Sequence, residues 1–278
     1  MKNLPALVLA AGRGERMRPL TDAMPKPLLK VRGKPLLQWH LEALARAGCP
    51  KTMINTAWLG GQIQAAFGTA WGAPDSAAMP LEYSDEQADF GGALETAGGI
   101  VRALPRLLKT FSQGESQDSG NSGNSGDGGD FGEGAFWLVA GDVYLPQFAF
   151  EAAQAQAFLA SEDWAHVWLV PNPAHNPQGD FGFQNGPQGR GVGPGVGRVV
   201  MDEGAPRYTY STLGLYRRAF FEAPHCDIPW GNPQGVRAAL APLLRRAIEG
   251  GRVGATLYEG PWTDVGTPER LAELNQGP

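Results

Sequence analysis

The chain has 278 residues and a formal net charge of −5, long enough for one large α/β domain with a well-buried core. No run of Lys or Arg marks a nucleic-acid groove, and no stretch reaches the length of a membrane span. Cys49 and Cys226, the only two cysteines, lie far apart and read as reduced thiols of a cytoplasmic protein.

Ala6-Leu7-Val8-Leu9 predicts a buried parallel strand. It is too short for a signal peptide and leads straight into a glycine loop. The strand breaks into Ala10-Ala11-Gly12-Arg13-Gly14-Glu15-Arg16. Small residues there let backbone approach a ligand, and successive N–H groups form a concavity for anions. Arg13, Arg16, Arg18 and Lys26 add fixed positive charge. The combination suits a triphosphate. A dinucleotide fingerprint fits less well, because Met17 stands where the third glycine belongs and Pro19 would break the helix. A Walker-type loop lacks its Gly-Lys-Ser/Thr ending. The lysine sits instead in Pro25-Lys26-Pro27, where two prolines stiffen its backbone.

Residues 28–31 predict a short strand, and Arg32-Gly33-Lys34 a turn. A helix follows over 35–47, with a Leu37, Leu41, Leu44 stripe facing the core and Gly48 at its end. Trp39 and His40 read as packing residues. Residues 53–56 form the next strand, and Asn55 at its end is placed to reach a ligand, since such sheets bind at the carboxyl ends of their strands. A helix over 60–67 and a strand over 81–84, ending in Ser84, come next. The stretch from Gly91 to Gly99 opens a helix running to Leu104, with Gly98 among the small residues that allow close approach. Residues 112–134 change to Gly, Ser, Asn and Asp, a composition that buries little and reads as a flexible surface insertion within one domain.

Phe136-Trp137-Leu138-Val139 is a strongly apolar strand ending in Ala140-Gly141-Asp142, and a carboxylate at that edge is where a catalytic metal would be held. An Ala-rich helix over 148–159 and a strand over 165–170 lead to Gly179-Asp180, a polar loop entering an edge strand. There Asp180 can accept hydrogen bonds from hydroxyl or amide groups. Beside it His175 reads as a solvated loop residue. A Gly-rich tip spans 185–197, a strand returns over 198–201, and 208–216 is another strand. A helix is expected over 236–248. In Trp262-Thr263-Asp264-Val265-Gly266-Thr267-Pro268, Thr267 reads as an N-cap and Pro268 as the first helical residue, which puts Asp264 on a rigid junction.

The ordered pattern GxGxRxRPxTxxxPKPL over 12–28 resembles the signature of the sugar-1-phosphate nucleotidyltransferases. The resemblance implies a Rossmann-like α/β fold with a mixed, mostly parallel central sheet flanked by helices, the whole of 1–278 forming one domain. It implies transfer of a nucleotidyl group from an NTP to a sugar 1-phosphate, releasing pyrophosphate. It puts Ala10, Ala11, Gly12, Gly14, Glu15, Arg16, Lys26 and Asn55 on the nucleotide, with Ser84 and Gly98 walling the base. Arg16 then meets the β- and γ-phosphates and Lys26 the α-phosphate region. Asp142 and Asp264 would share one Mg2+, making Arg16, Lys26 and Asp142 the catalytic set. Ala140 and Asp180 fall against the sugar. Relatives tend to have Asn in place of Ala140, which bears on one hydrogen bond to the sugar and not on the metal.

INTAWLG, LETAGGI, GDFGF and WTDVGTPERL point within the family to the branch that joins UTP to N-acetylmuramic acid 1-phosphate in cell-wall recycling. Two other readings stay open. One is a mannose- or glucose-1-phosphate enzyme using GTP, dTTP or UTP, and the other an inactive sugar-nucleotide-binding scaffold. The oligomeric state is open, with the monomer favoured.

Overall fold

A computed structural model describes residues 3–72, 78–109, 134–186 and 195–276. All but the last residue of the 112–134 insertion lies outside them, as does most of the 185–197 tip. The strands are β1 Ala6–Ala10, β2 Lys30–Val31, β3 Lys34–Pro35, β4 Thr52–Thr56, β5 Ala70–Trp71, β6 Met79–Asp85 and β7 Ala135–Ala140. They continue with β8 Val143–Tyr144, β9 Ala165–Val170, β10 Phe181–Asn185, β11 Val196–Val200, β12 Arg207–Arg217, β13 Val253–Leu257 and β14 Thr263–Asp264. The helices are α1 Leu20–Ala23, α2 Leu36–Arg46, α3 Gly60–Phe67, α4 Glu86–Phe90, α5 Glu95–Leu107, α6 Ala152–Leu159, α7 Leu240–Glu249 and α8 Pro268–Gln276.

Ten strands form one sheet in the order β10-β11-β13-β9-β12-β7-β1-β4-β6-β5. The run β7-β1-β4-β6 within it is parallel throughout. Both faces are covered, and for that reason the strands read as continuous apolar runs. Alternation still sorts the side chains. Leu7, Met53 and Leu138 join α5 and α7 on one face. Ala6, Val8, Ile54, Trp137 and Val139 join the Leu37, Leu41, Leu44 stripe of α2 on the other.

Several expectations change in detail. Strand β10 pairs with β11 and also with β12, so it is not an edge; the second pairing closes a ring of β10, β11, β13, β9 and β12. Helix α6 starts at Ala152 rather than 148, because Glu151 and Gln154 form a capping box and Phe148 and Phe150 pack on Trp137 instead. Helix α7 starts at Leu240 rather than 236. Residues 236–239 run as a strap: Ala238 O accepts from the N–H groups of Ala97 and Gly98, and Ala238 N donates to Leu94 O. Strand β13, whose apolar run is interrupted by Gly254, was not expected. At the C-terminus Thr267 caps α8 as read, its Oγ1 accepting from Arg270 N at 3.4 Å.

His40 is fully packed beneath the site, and its Nε2 donates to Val143 O at 2.9 Å. Burial holds its imidazole down from 6.5 to about 4, against the pull of that hydrogen bond and of nearby Asp142. Between these values the unfolded chain binds a proton that the folded chain refuses, so stability falls as pH drops from 6.5 towards 4. The slope from this one group is at most about 1.4 kcal/mol per pH unit. Urea unfolding at pH 7 and pH 5 should show the loss, and His40→Gln should flatten the slope.

Candidate active site

A cavity of about 890 Å³ opens at the carboxyl ends of β1, β4 and β7, where open α/β sheets place their ligands. Ala10, Ala11, Gly12, Gly14, Glu15, Arg16, Lys26, Asn55, Ala140, Asp142 and Asp180 all line it. Ser84 and Gly98 do not. Ser84 is buried in the sheet opposite Asn55. Gly98 faces the strap, where a Cβ would overlap Val236 O. Against the expectation that these two wall the base, neither reaches the cavity: Ser84 is held within the sheet and Gly98 against the strap.

The glycine loop keeps its shape through specific contacts. Gly14 takes a left-handed φ of 68°, and its carbonyl accepts from Thr21 Oγ1 at 2.8 Å. Arg13 donates to Thr21 O at 2.8 Å and lies 3.7 Å over the Trp58 ring. Arg18 pairs with Asp22 at 2.8 Å. These two arginines therefore brace the loop, and neither lines the cavity. Arg16 lines the cavity, exposed, with no hydrogen bond or ion pair among the described residues.

Lys26 occupies a single 3-10 turn, Lys26–Leu28, between its two prolines. It is only 7% exposed, and its Nζ donates to Asp142 Oδ2 at 2.6 Å. Gly141 lets β7 deliver Asp142 against β1, since a Cβ there would come 3.0 Å from Leu9 O. The small pairing of β8 with β14 brings in the second carboxylate. Asp264 sits opposite Val143, and Val265 N donates to Asp142 O at 3.1 Å. Asp264 Oδ2 accepts from Arg270 Nη1 at 2.7 Å and lies 3.5 Å from His175 Nε2. Thus His175, read as a solvated loop residue, stands beside Asp264. No cluster of three or more His, Cys, Asp or Glu is arranged for a metal among the described residues.

Asn55 lines the cavity, yet its side chain is already committed. Its Oδ1 accepts from Ala10 N at 2.7 Å and its Nδ2 donates to Glu86 Oε1 at 2.8 Å. Glu86 is wholly buried, and its Oε2 accepts from Leu94 N at 2.7 Å. Burial pushes its carboxyl upward, opposed by the Leu94 and Asn55 bonds. Sequence reasoning missed Glu86. Among Asp85, Glu86 and Asp89 it resembles any acidic helix start, and its one trace is Gly99, where a Cβ would overlap Glu86 Oε1. Glu95 was also missed. It lines the cavity with a left-handed φ of 58°, an unusual conformation for a residue with a Cβ.

On the other side of β7, Asp180 supports backbone as well as cavity wall. Its Oδ2 accepts from Tyr210 N at 2.8 Å and its Oδ1 from Asn176 Nδ2 at 3.1 Å. The first of these holds β12 where its pairing with β9 shifts register, between Tyr210 and Gly214. Arg207 reaches the same wall and donates to the carbonyls of Gln178, Gly179 and Asp180.

A glycine loop leaving the first parallel strand, a braced lysine, and two carboxylates from distant segments on this fold define a nucleotidyltransferase. A profile described as the MobA-like NTP transferase domain matches residues 6–107. The N-acetylmuramate alpha-1-phosphate uridylyltransferase of Neisseria meningitidis serogroup B is 42% identical over 271 residues, 96% of this chain and 95% of that protein. The protein of the same description from Caulobacter vibrioides is 38% identical, covering 96% of this chain and 97% of the other. The solved structure of UDP-glucose pyrophosphorylase complexed with UDP-glucose has a TM-score of 0.66 at 18% identity, over 98% of this chain and 97% of that one. The chain belongs to the sugar-1-phosphate nucleotidyltransferase family.

Glu86→Gln tests the buried bridge. A carboxamide of the same shape must turn its NH2 towards either Leu94 N or Asn55 Nδ2, so a donor faces a donor. The expected cost is about 1–3 kcal/mol in the urea unfolding free energy. An unchanged value would mean that the bridge adds no stability.

Proposed function

We propose that this chain joins UTP to N-acetylmuramic acid 1-phosphate, giving the UDP-sugar and pyrophosphate. The observation that carries the chemistry is the contact of Lys26 Nζ with Asp142 Oδ2, held at the cavity between the glycine loop and the Asp180 wall. The near full-length similarity to two uridylyltransferases supports the choice of substrates. The reading places the activity in the cytoplasm, in cell-wall recycling. No helix among the described residues is long and apolar enough to cross a membrane.

A sugar phosphate oxygen attacks the α-phosphorus of UTP. The new O–P bond forms as the bond to the β-phosphate oxygen breaks, and the electron pair leaves with pyrophosphate. No protein nucleophile is required, so catalysis is positioning and charge neutralisation. The glycine loop receives the triphosphate, with Arg16 meeting its β- and γ-phosphates. Lys26 holds fixed charge at the α-phosphate, on a backbone too stiff to drift. Asp180 takes a sugar hydroxyl or amide, and Ala140 leaves room for the ring.

Asp142 and Asp264 suit Mg2+. They are hard oxygen donors from adjoining short strands, and each already attracts a cation, Lys26 or Arg270. Mg2+ commonly takes one or two carboxylates and completes its shell with water and substrate phosphates. Bound there, it would supply charge neutralisation for the phosphates.

Pyrophosphate release over a panel of NTPs and sugar phosphates tests the reading. Turnover should be fastest with UTP and N-acetylmuramic acid 1-phosphate. A faster rate with mannose or glucose 1-phosphate would select the neutral-sugar alternative, and no turnover with any pair would select a binding scaffold.

Asp142→Asn and Asp264→Asn should each lower kcat on the order of 10²–10³. The double variant should be little worse than either, because residues serving one ion are not additive. Steady-state rates across a Mg2+ titration measure this, and full additivity would separate the two aspartates.

A further inference from the structure

The cavity is lined by four cationic side chains, Arg16, Lys26, Arg207 and Arg245. Lys26 is paired with Asp142, and Arg207 is spent on three backbone carbonyls. Arg16 belongs to the glycine loop. Arg245 makes no hydrogen bond or ion pair among the described residues, yet it lines the cavity from α7. It follows Ala241 by four residues, one helical turn along the same stripe, and Ala241 also lines the cavity.

Its position in the fold assigns it to one half of the site. Helix α7 packs on β11 and β13 as well as on α5, and its Leu240, Leu243 and Leu244 share a core cluster with Phe181 and Phe183 of β10. In the sheet these strands lie on the far side of β7 from β1 and the glycine loop. That is the half carrying Asp180, Phe181, Tyr210 and Thr212. That end of the cavity therefore presents a guanidinium that no carboxylate among the described residues pairs with.

A neutral hexose gives such a group no partner. N-acetylmuramic acid differs from the related neutral amino sugar by a lactyl ether, which carries a carboxylate. We infer that Arg245 is the specificity residue that takes this carboxylate in a two-point, charge-assisted hydrogen bond. The inference rests on the substrate proposed above. A planar guanidinium matches a carboxylate fork to fork, a geometry a lysine does not reproduce. A site holding such a charge also discriminates against the analogue that leaves it unpaired. Because the lactyl group is remote from the reacting phosphorus, its contact contributes to binding of the sugar phosphate more than to the chemical step.

The test is steady-state kinetics of wild type, Arg245→Ala and Arg245→Lys with UTP and either N-acetylmuramic acid 1-phosphate or N-acetylglucosamine 1-phosphate. Arg245→Ala should raise the KM for the muramic substrate on the order of 10- to 100-fold. It should move kcat and the KM for UTP little and leave kcat/KM for the substrate without the lactyl group near its wild-type level. Arg245→Lys should recover part of the loss. An unchanged KM for the muramic substrate in a folded Arg245→Ala protein overturns the inference. So does an equal loss with both sugars, or a loss confined to UTP, which would put Arg245 on the triphosphate. Wild-type enzyme that does not turn over the muramic substrate would instead defeat the proposed function, a result seen before any variant is made.

Discussion

The site depends on one buried amide. Asn55 takes the Ala10 N–H at the end of β1 with its oxygen and gives its NH2 to Glu86, which in turn holds Leu94 N. Three segments distant in sequence are thereby fixed to one another: the start of the glycine loop, the end of β4, and the turn into α5. Each group is buried, so each lost bond carries its full desolvation cost. Gly99 is small because a Cβ would occupy the space of the Glu86 carboxylate. The second glycine-rich stretch thus makes room for a protein carboxylate. The strained Glu95 follows directly on the anchored Leu94, and the anchor explains how that conformation persists.

Charge is arranged on the same frame. Arg13 and Arg18 hold the loop, Arg16 has no partner among the described residues, and Lys26 and Arg270 each sit on one of the two aspartates. The two carboxylates are thus compensated by protein cations rather than left as a repelling pair. In the proposed reaction a phosphate entering near Lys26 would compete with Asp142 for its ammonium. Lysine suits that exchange, being a compact charge with three donors on a flexible stem, whereas the bidentate fork of an arginine would bind its carboxylate more rigidly.

Much of this was legible in the sequence, and what was not has a physical reason. Ala6-Leu7-Val8-Leu9, the 60–67 helix and the 165–170 strand were readable because short-range pattern alone decides them. The Gly loop, Pro25-Lys26-Pro27 and Asp142 were readable because chemistry and local backbone coincide there. Asp180 was legible as a cavity residue but not as a support for β12, since its partners Asn176 and Tyr210 come together only in the fold. Ser84 and Gly98 lie off the cavity, one within the sheet and the other under the strap, because a small residue beside a ligand and a small residue in close packing look alike in one dimension. Glu86 and Arg245 carry no signal in the sequence, since neither stands in a motif or a distinctive spacing. Their roles arise from which elements the sheet places beside them. The start of α7 was misjudged for the same reason, since 236–238 spend their backbone bonds on α5 and the Asn232 side chain.

The double pairing of β10 has an effect beyond the site. A long sheet normally ends in rows of unsatisfied N–H and C=O groups, a template for strand addition by another chain. Here one end of the sheet curls until β10 meets β12, so those groups are taken up inside the ring. The other end finishes in β5, only two residues long. The closure thus protects one end of the ten-stranded sheet, whereas at the other β5 pairs only with Met79 and Pro80 of the seven-residue β6.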